Sequence, residues 1–260
     1  MHIEKISDSK YKTFKQCKLK YKYKYVDYLP EPDEANTDAL HFGSYIHKIF
    51  EDGYKLSSEQ ELVKLSEGIR GEYKVSSDYT GKDLICIKNF MKFNKKLGET
   101  VATELPFEVD LGKDIKLNGV IDRVIKGKNN NYLIIDYKTS KKEKTKIDLF
   151  QDTQLKGYTY AIHKMYEVPI KNITVAHYYP LTDNIVSINY TSNQITSYVR
   201  TIINEVWGIR KSKKVDLTAS RNEFCNWCPY KSLCPEFNQP EVIEENLKRI
   251  TASSKASNGQ

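Results

Sequence analysis

No apolar run among these 260 residues is long enough to span a bilayer, and the opening "MHIEKISDSKYK" has no hydrophobic signal-peptide segment. A helical membrane protein is therefore excluded and a cytoplasmic chain without a membrane partner is expected. There is no internal repeat. There is also no Gly-rich Walker loop, so these residues hold no P-loop ATP motor of their own. A hydrophobic content of 39% with 12% aromatic residues is that of a globular chain able to bury a full core.

The formal charge is +7, and nineteen Tyr accompany the many Lys. Basic grooves with aromatic faces suit single-stranded nucleic acid, although an AT-rich coding sequence favours the same residues. Periodicity predicts helical spacing over 9–28, with Lys15, Lys18, Lys22 and Tyr23 around Cys17 as a DNA-facing stripe. After a loop with Pro30 and Pro32, a helix opened by Thr37 or Asp38 carries "HFGSYIHKIF", and 59–97 is expected to be helical. Strands follow at 101–111, 115–125 and 132–139, then a helix at 148–166, strands near 172–180 and 184–190, and a helix at 193–210. The boundaries expected are 1–30 for an N-terminal helix, 31–98 for a helical segment, 99–215 for an α/β core, 216–240 for a cysteine loop and 241–260 for a disordered polar tail.

The stretch "GVIDRVIKGKNNNYLIIDYKTSKK" holds the chemistry. Two apolar strands each carry an aspartate, and an unpaired buried carboxylate is costly enough to demand a partner. The turn formers "KGKNNN" predict an antiparallel hairpin. With the turn centred on Asn129, Asp122 faces Asp136 at a Cβ separation of about 5 Å. Lys138 lies two residues along on the same face. Two carboxylates and an ammonium at one sheet edge suit a hard divalent cation. A structural ion pair of Asp122 with Arg123 or Lys138 is the alternative.

"GVIDR" followed by "IIDYK" resembles the GxxD and (D/E)xK motifs of the PD-(D/E)xK nuclease superfamily, "QDTQLKGY" resembles the QxxxY motif of its RecB-type branch, and "GSYIH" resembles that branch's GxxxH motif. The resemblance implies an α/β fold with a mixed central sheet flanked by helices and a metal-dependent deoxyribonuclease, likened most to exonucleases of recombination, repair and end processing. It implies that His47, Asp122, Asp136 and the carbonyl of Tyr137 ligate Mg2+ or Mn2+. Lys138 would orient water and stabilise charge on the scissile phosphate, with Gln154 and Tyr158 one helical turn apart beside it. His41 competes with His47, and ordinary core packing competes for Tyr158. The substrate implied is single-stranded DNA or duplex ends in a bacterial, archaeal or phage-infected cell, with a helicase or recombination partner. A non-catalytic nucleic-acid module, or a processing subunit of a recombination or CRISPR-adaptation assembly, is the alternative.

Cys225-x2-Cys228-x5-Cys234 reads as a metal-ligand cluster rather than disulfides in a cytosolic chain. Three thiolates are one short of a four-thiolate site. The resemblance extends to the iron-sulfur subgroup of RecB-type nucleases, which implies a 4Fe-4S cluster on Cys17, Cys225, Cys228 and Cys234 joining the N- and C-terminal segments. Structural zinc is the alternative. Cys86, on an apolar helix face, is expected to be a buried thiol.

Overall fold

The structure, a computed structural model, describes residues 4–31 and 38–257. Pro32, Thr37 as helix opener and the last three tail residues lie outside the described residues. The chain divides into two units, residues 38–203 and residues 1–37 with 204–260.

In the smaller unit a short strand, β1 (Lys5–Ile6), precedes two helices, α1 (Asp8–Gln16) and α2 (Lys18–Tyr25). The single helix expected over 9–28 is thus broken at Cys17, whose backbone is extended at φ −159° and ψ 118°. The break has a cause in hydrogen bonding. Gln16 carbonyl oxygen accepts from Asn222 Nδ2 at 2.9 Å, and the Leu19 N–H donates to Thr218 oxygen at 3.1 Å. Phe14, Tyr21, Ile209 and Leu217 form a small core. The disordered tail expected over 241–260 is corrected as well, because α9 (Pro240–Ser257) is a helix. Its Ile250, with Ile243 one face along, packs on Tyr230 and Leu233. Ile243, Leu247 and Ile250 have the i, i+4, i+7 spacing of an apolar stripe, which the polar composition of the last ten residues hid.

The larger unit opens with α3 (Asp38–Gly53), α4 (Glu59–Ile69) and α5 (Lys82–Asn94). The span 59–97, expected to be helical throughout, is interrupted between α4 and α5, where Lys74 (φ 47°) and Gly81 (φ 76°) turn the chain. A capping box of Ser58 and Glu61 opens α4. Five strands of this unit form a mixed sheet, with β2 (Glu99–Gly112) antiparallel to β3 (Ile115–Lys126) and β3 antiparallel to β4 (Tyr132–Tyr137). The strand β5 (Ile173–Tyr179) is parallel to β4, and β6 (Asn184–Asn189) returns antiparallel to β5.

The parallel pair requires a crossover, supplied by α6 (Lys146–Gln151) and α7 (Thr153–Tyr166). Sequence periodicity predicts one helix here. Asp152 divides it, its Oδ1 capping α7 by accepting from the N–H groups of Gln154 (2.9 Å) and Leu155 (3.1 Å). The helix α8 (Ser192–Lys211) follows. Strand alternation places Ile125, Ile135 and Tyr137 in the core covered by α3 and α5, where Phe50 and Phe90 stack at 4.0 Å. Asp122, Asp136 and Lys138 are left on the opposite face, on which α7 packs against β2, β3 and β5.

Candidate active site

The hairpin pairs Arg123 with Ile135 and Ile125 with Leu133, the register that a turn centred on Asn129 demands. Asp122 accordingly lies beside β4, and its Oδ2 accepts from the Tyr137 N–H at 2.7 Å. The glycine of "GVIDR" has a packing reason, since a Cβ on Gly119 would lie 2.8 Å from the ring of Phe107. Arg123 does not pair with Asp122. Its guanidinium turns to the other face and donates to Asn94 Oδ1 (2.6 Å) and Thr100 Oγ1 (2.7 Å).

His47 enters from α3. Its Nε2 lies 3.0 Å from the Tyr137 carbonyl oxygen, and its Nδ1 faces Asp122 Oδ2 at 3.5 Å and Glu104 Oε1 at 3.8 Å. The ligand atoms of His47, Glu104 and Asp122 all fall within 4.8 Å of one another. Glu104 was missed in the sequence. The β2–β3 register brings it in: Thr103 pairs with Arg123 and Leu105 with Ile121, which sets Glu104 across from Asp122. Glu104 also holds a left-handed backbone, φ 44°, inside a strand. That conformation is strained for a residue with a side chain, and such strain collects at functional sites.

Convergence of acidic groups shifts their protonation. Burial, then the charge of Asp136, pushes the Asp122 carboxyl up to about 7. Burial works against a charged His47, but Glu104, Asp122 and Asp136 outweigh it and hold the imidazole up at about 9. Both groups thus hold protons where a cation would replace them.

Asp136, 1% exposed, stands on the far side of this trio. Lys138 Nζ lies 2.6 Å from Asp136 Oδ2 and 3.5 Å from Gln154 Oε1. Asp136 Oδ2 is thereby ion-paired with the Lys138 ammonium. Burial disfavours the Lys138 ammonium, yet the Asp136 charge raises its pKa. Gln154 is held in turn, donating from Nε2 to Tyr158 Oη at 2.7 Å, while the Tyr158 ring is buried edge-on to Phe107. Tyr158 therefore both packs in the core and positions Gln154. His47, Glu104, Tyr137 and Lys138 line one cleft of about 590 Å³ with Gly43 at its wall. His41 does not line this cleft.

The basic stripe of the smaller unit is largely engaged internally. Lys15 pairs with Glu205 at 3.0 Å, Lys22 pairs with Asp27, and Tyr23 donates to the Leu233 carbonyl oxygen at 3.0 Å while its ring packs on Tyr230. Lys18 lies over the Phe14 ring. Tyr23 thus packs within the smaller unit.

Cys17, Cys225, Cys228 and Cys234 line a single pocket with Phe224 and Phe237. All are free thiols, and among the described residues no three of their sulfurs lie within 4.8 Å of one another. Cys225 Sγ accepts from the Asn222 N–H at 3.3 Å, and backbone N–H groups of Tyr230 and Glu236 reach Cys228 and Cys234. Burial raises the thiol pKa of both Cys228 and Cys234, and the neighbouring sulfurs add to it. Cys86 is fully buried, with burial raising its thiol to about 12, as expected of an inert core thiol.

Among known proteins, residues 5–235 match the family model described as the PD-(D/E)XK nuclease superfamily. The chain is 29% identical over 188 residues to one subunit of an ATP-dependent helicase/deoxyribonuclease from Streptococcus agalactiae serotype Ia, covering 64% of this chain and 17% of that protein. It is 31% identical over 150 residues to the protein of the same name from Streptococcus equi subsp. zooepidemicus, covering 52% of this chain and 14% of that one. The chain thus spans less than a fifth of the length of these relatives. A crystal structure of a candidate exonuclease from Eubacterium rectale superposes with a TM-score of 0.55 at 18% identity, covering 87% of this chain and 88% of that one, a likeness of fold. With the GxxD hairpin, its (D/E)xK lysine and the family match over most of its length, this chain belongs to the PD-(D/E)XK nuclease superfamily.

Proposed function

We propose that this chain is a divalent-metal-dependent nuclease that hydrolyses DNA phosphodiester bonds, acting as an exonuclease. The observation that carries this reading is the convergence of His47, Glu104 and Asp122, of which His47 and Glu104 line the cleft shared with Lys138. The donor set fits Mg2+ or Mn2+: carboxylate oxygens dominate and a backbone carbonyl is at hand. His47, Glu104, Asp122 and Asp136 would hold the ion, with the Tyr137 carbonyl as a further ligand. A bound divalent ion supplies an activated water and neutralises charge on phosphoryl oxygens.

The chain's own residues do the rest. Lys138 stands between Asp136 and Gln154, from which its ammonium orients the attacking water and stabilises charge on the scissile phosphate. Gln154, anchored by Tyr158, limits where that ammonium can go. Labelled single- and double-stranded DNA, incubated with Mg2+, Mn2+ or EDTA, tests the reading. Cleavage should require the metal and be lost in Asp136→Ala and Lys138→Ala, both folded by circular dichroism. Activity in EDTA, or variants cleaving within a few-fold of the parent, would refute it.

The smaller unit we read as a 4Fe-4S site on Cys17, Cys225, Cys228 and Cys234. All four line one pocket, and the N–H groups directed at three of the sulfurs suit a thiolate-held cluster. Stoichiometric zinc without iron in anaerobically purified protein would refute the cluster and leave the nuclease reading intact. The relatives are named as subunits of helicase-nucleases, so we read the partner as a helicase that feeds DNA to this site.

A further inference from the structure

The larger unit contains a buried histidine that none of the motifs accounts for. His177, 0% exposed, lies on β5 directly across from Asp136 on β4. Its Nε2 is buried without a hydrogen bond and faces, at 3.7 Å, the same Asp136 Oδ2 that Lys138 approaches. Buried polar atoms are almost always satisfied, so an imidazole nitrogen left over against a carboxylate requires a reason.

The tautomer of His177 follows from its other side. The main-chain N–H of Lys144 donates to Tyr179 Oη at 2.9 Å, and Tyr179 Oη lies 3.4 Å from His177 Nδ1. With its oxygen already accepting, the Tyr179 hydroxyl has its proton free to give, and Nδ1 is the acceptor in reach. A neutral imidazole whose Nδ1 accepts carries its one proton on Nε2, aimed at Asp136.

We propose that His177 is a positioning residue for Asp136: an Nε2–H donor, oriented by Tyr179 and Lys144, that keeps one carboxylate oxygen on its side and so leaves the other turned to the cation. This rests on the metal reading above. Such outer partners of metal-binding groups change metal affinity by about 10- to 100-fold.

The test uses the full chain with Mn2+ alone, without DNA, read by electron paramagnetic resonance of free Mn2+. His177→Leu should weaken Mn2+ binding by about tenfold or more. His177→Gln, whose amide nitrogen reaches the place of Nε2, should restore binding to within about threefold of the parent. His177→Asn, polar but too short to reach Asp136, should bind as weakly as the leucine variant, and it stands in for that variant should leucine not fold. Nitrogen shifts of labelled histidine in the parent should show His177 as the Nε2–H tautomer. An Nδ1–H tautomer, asparagine equal to glutamine, or folded leucine binding Mn2+ as the parent does would each overturn the proposal. A parent that binds no Mn2+ would instead bring down the metal reading, and this assignment with it.

Discussion

Metal affinity at this site should depend steeply on pH, because the metal-free site holds protons that a cation must displace. His47 is held up at about 9 by Glu104, Asp122 and Asp136 against its burial. A cation cannot bind a protonated imidazole nitrogen, so below that value affinity falls by about tenfold per pH unit. From pH 7 to 8.5 the protonated excess of a group with pKa about 9 falls by about 25-fold, equivalent to about 1.9 kcal/mol. Asp122, pushed up to about 7 by burial and Asp136, adds about another twofold over that interval and steepens the dependence below neutrality. The signs agree: both groups have raised pKa values, both stabilise the metal-free site while protonated, and both release protons on binding. Calorimetric titration of Mn2+ without oxygen, in buffers of differing ionisation enthalpy, should give about 1.5 protons released at pH 7 and a roughly 50-fold gain in affinity by pH 8.5. His47→Gln should flatten most of that gain. An affinity changing less than about fivefold over the same interval would show that His47 carries no displaced proton, and the trio would not be the metal site.

Glu104→Gly should separate stability from function. Removing a side chain held at φ 44° relieves about 1 kcal/mol of backbone strain, so the urea midpoint should rise while Mn2+ affinity falls; a lower midpoint would deny the strain. Phe90→Ala, which deletes a fully buried ring stacked on Phe50, should cost about 3–5 kcal/mol in urea denaturation, and a loss below about 1 kcal/mol would mean the core there is not close-packed. In the smaller unit, Cys17→Ala and Cys228→Ala should lose bound iron equally, whereas Cys86→Ala should keep it; iron retained by Cys17→Ala would remove that residue from the cluster.

The sequence by itself determined the local parts of this site. Strand alternation and the "KGKNNN" turn set the β3–β4 register, and with it the adjacency of Asp122, Asp136 and Lys138, because a hairpin is a short-range structure whose pairing follows from its turn. The order of strands and helices along the chain was legible from periodicity, apart from the interruption between α4 and α5, where Lys74 and Gly81 turn the chain, and two further breaks, at Cys17 and Asp152. Those breaks were hidden because each depends on a distant or capping hydrogen bond: Asn222 to Gln16, and the Asp152 carboxylate to the first turn of α7. Likewise α9 folds because Ile250 finds Tyr230 and Leu233, a partner that composition cannot reveal. Only the tertiary structure decided which charges meet across strands and helices. It brought Glu104 on β2 to His47 on α3, turned Arg123 away from Asp122, and laid His177 of β5 against Asp136. A carboxylate's partner is chosen by register and packing over many residues of intervening chain, and sequence spacing carries no record of that distance in space.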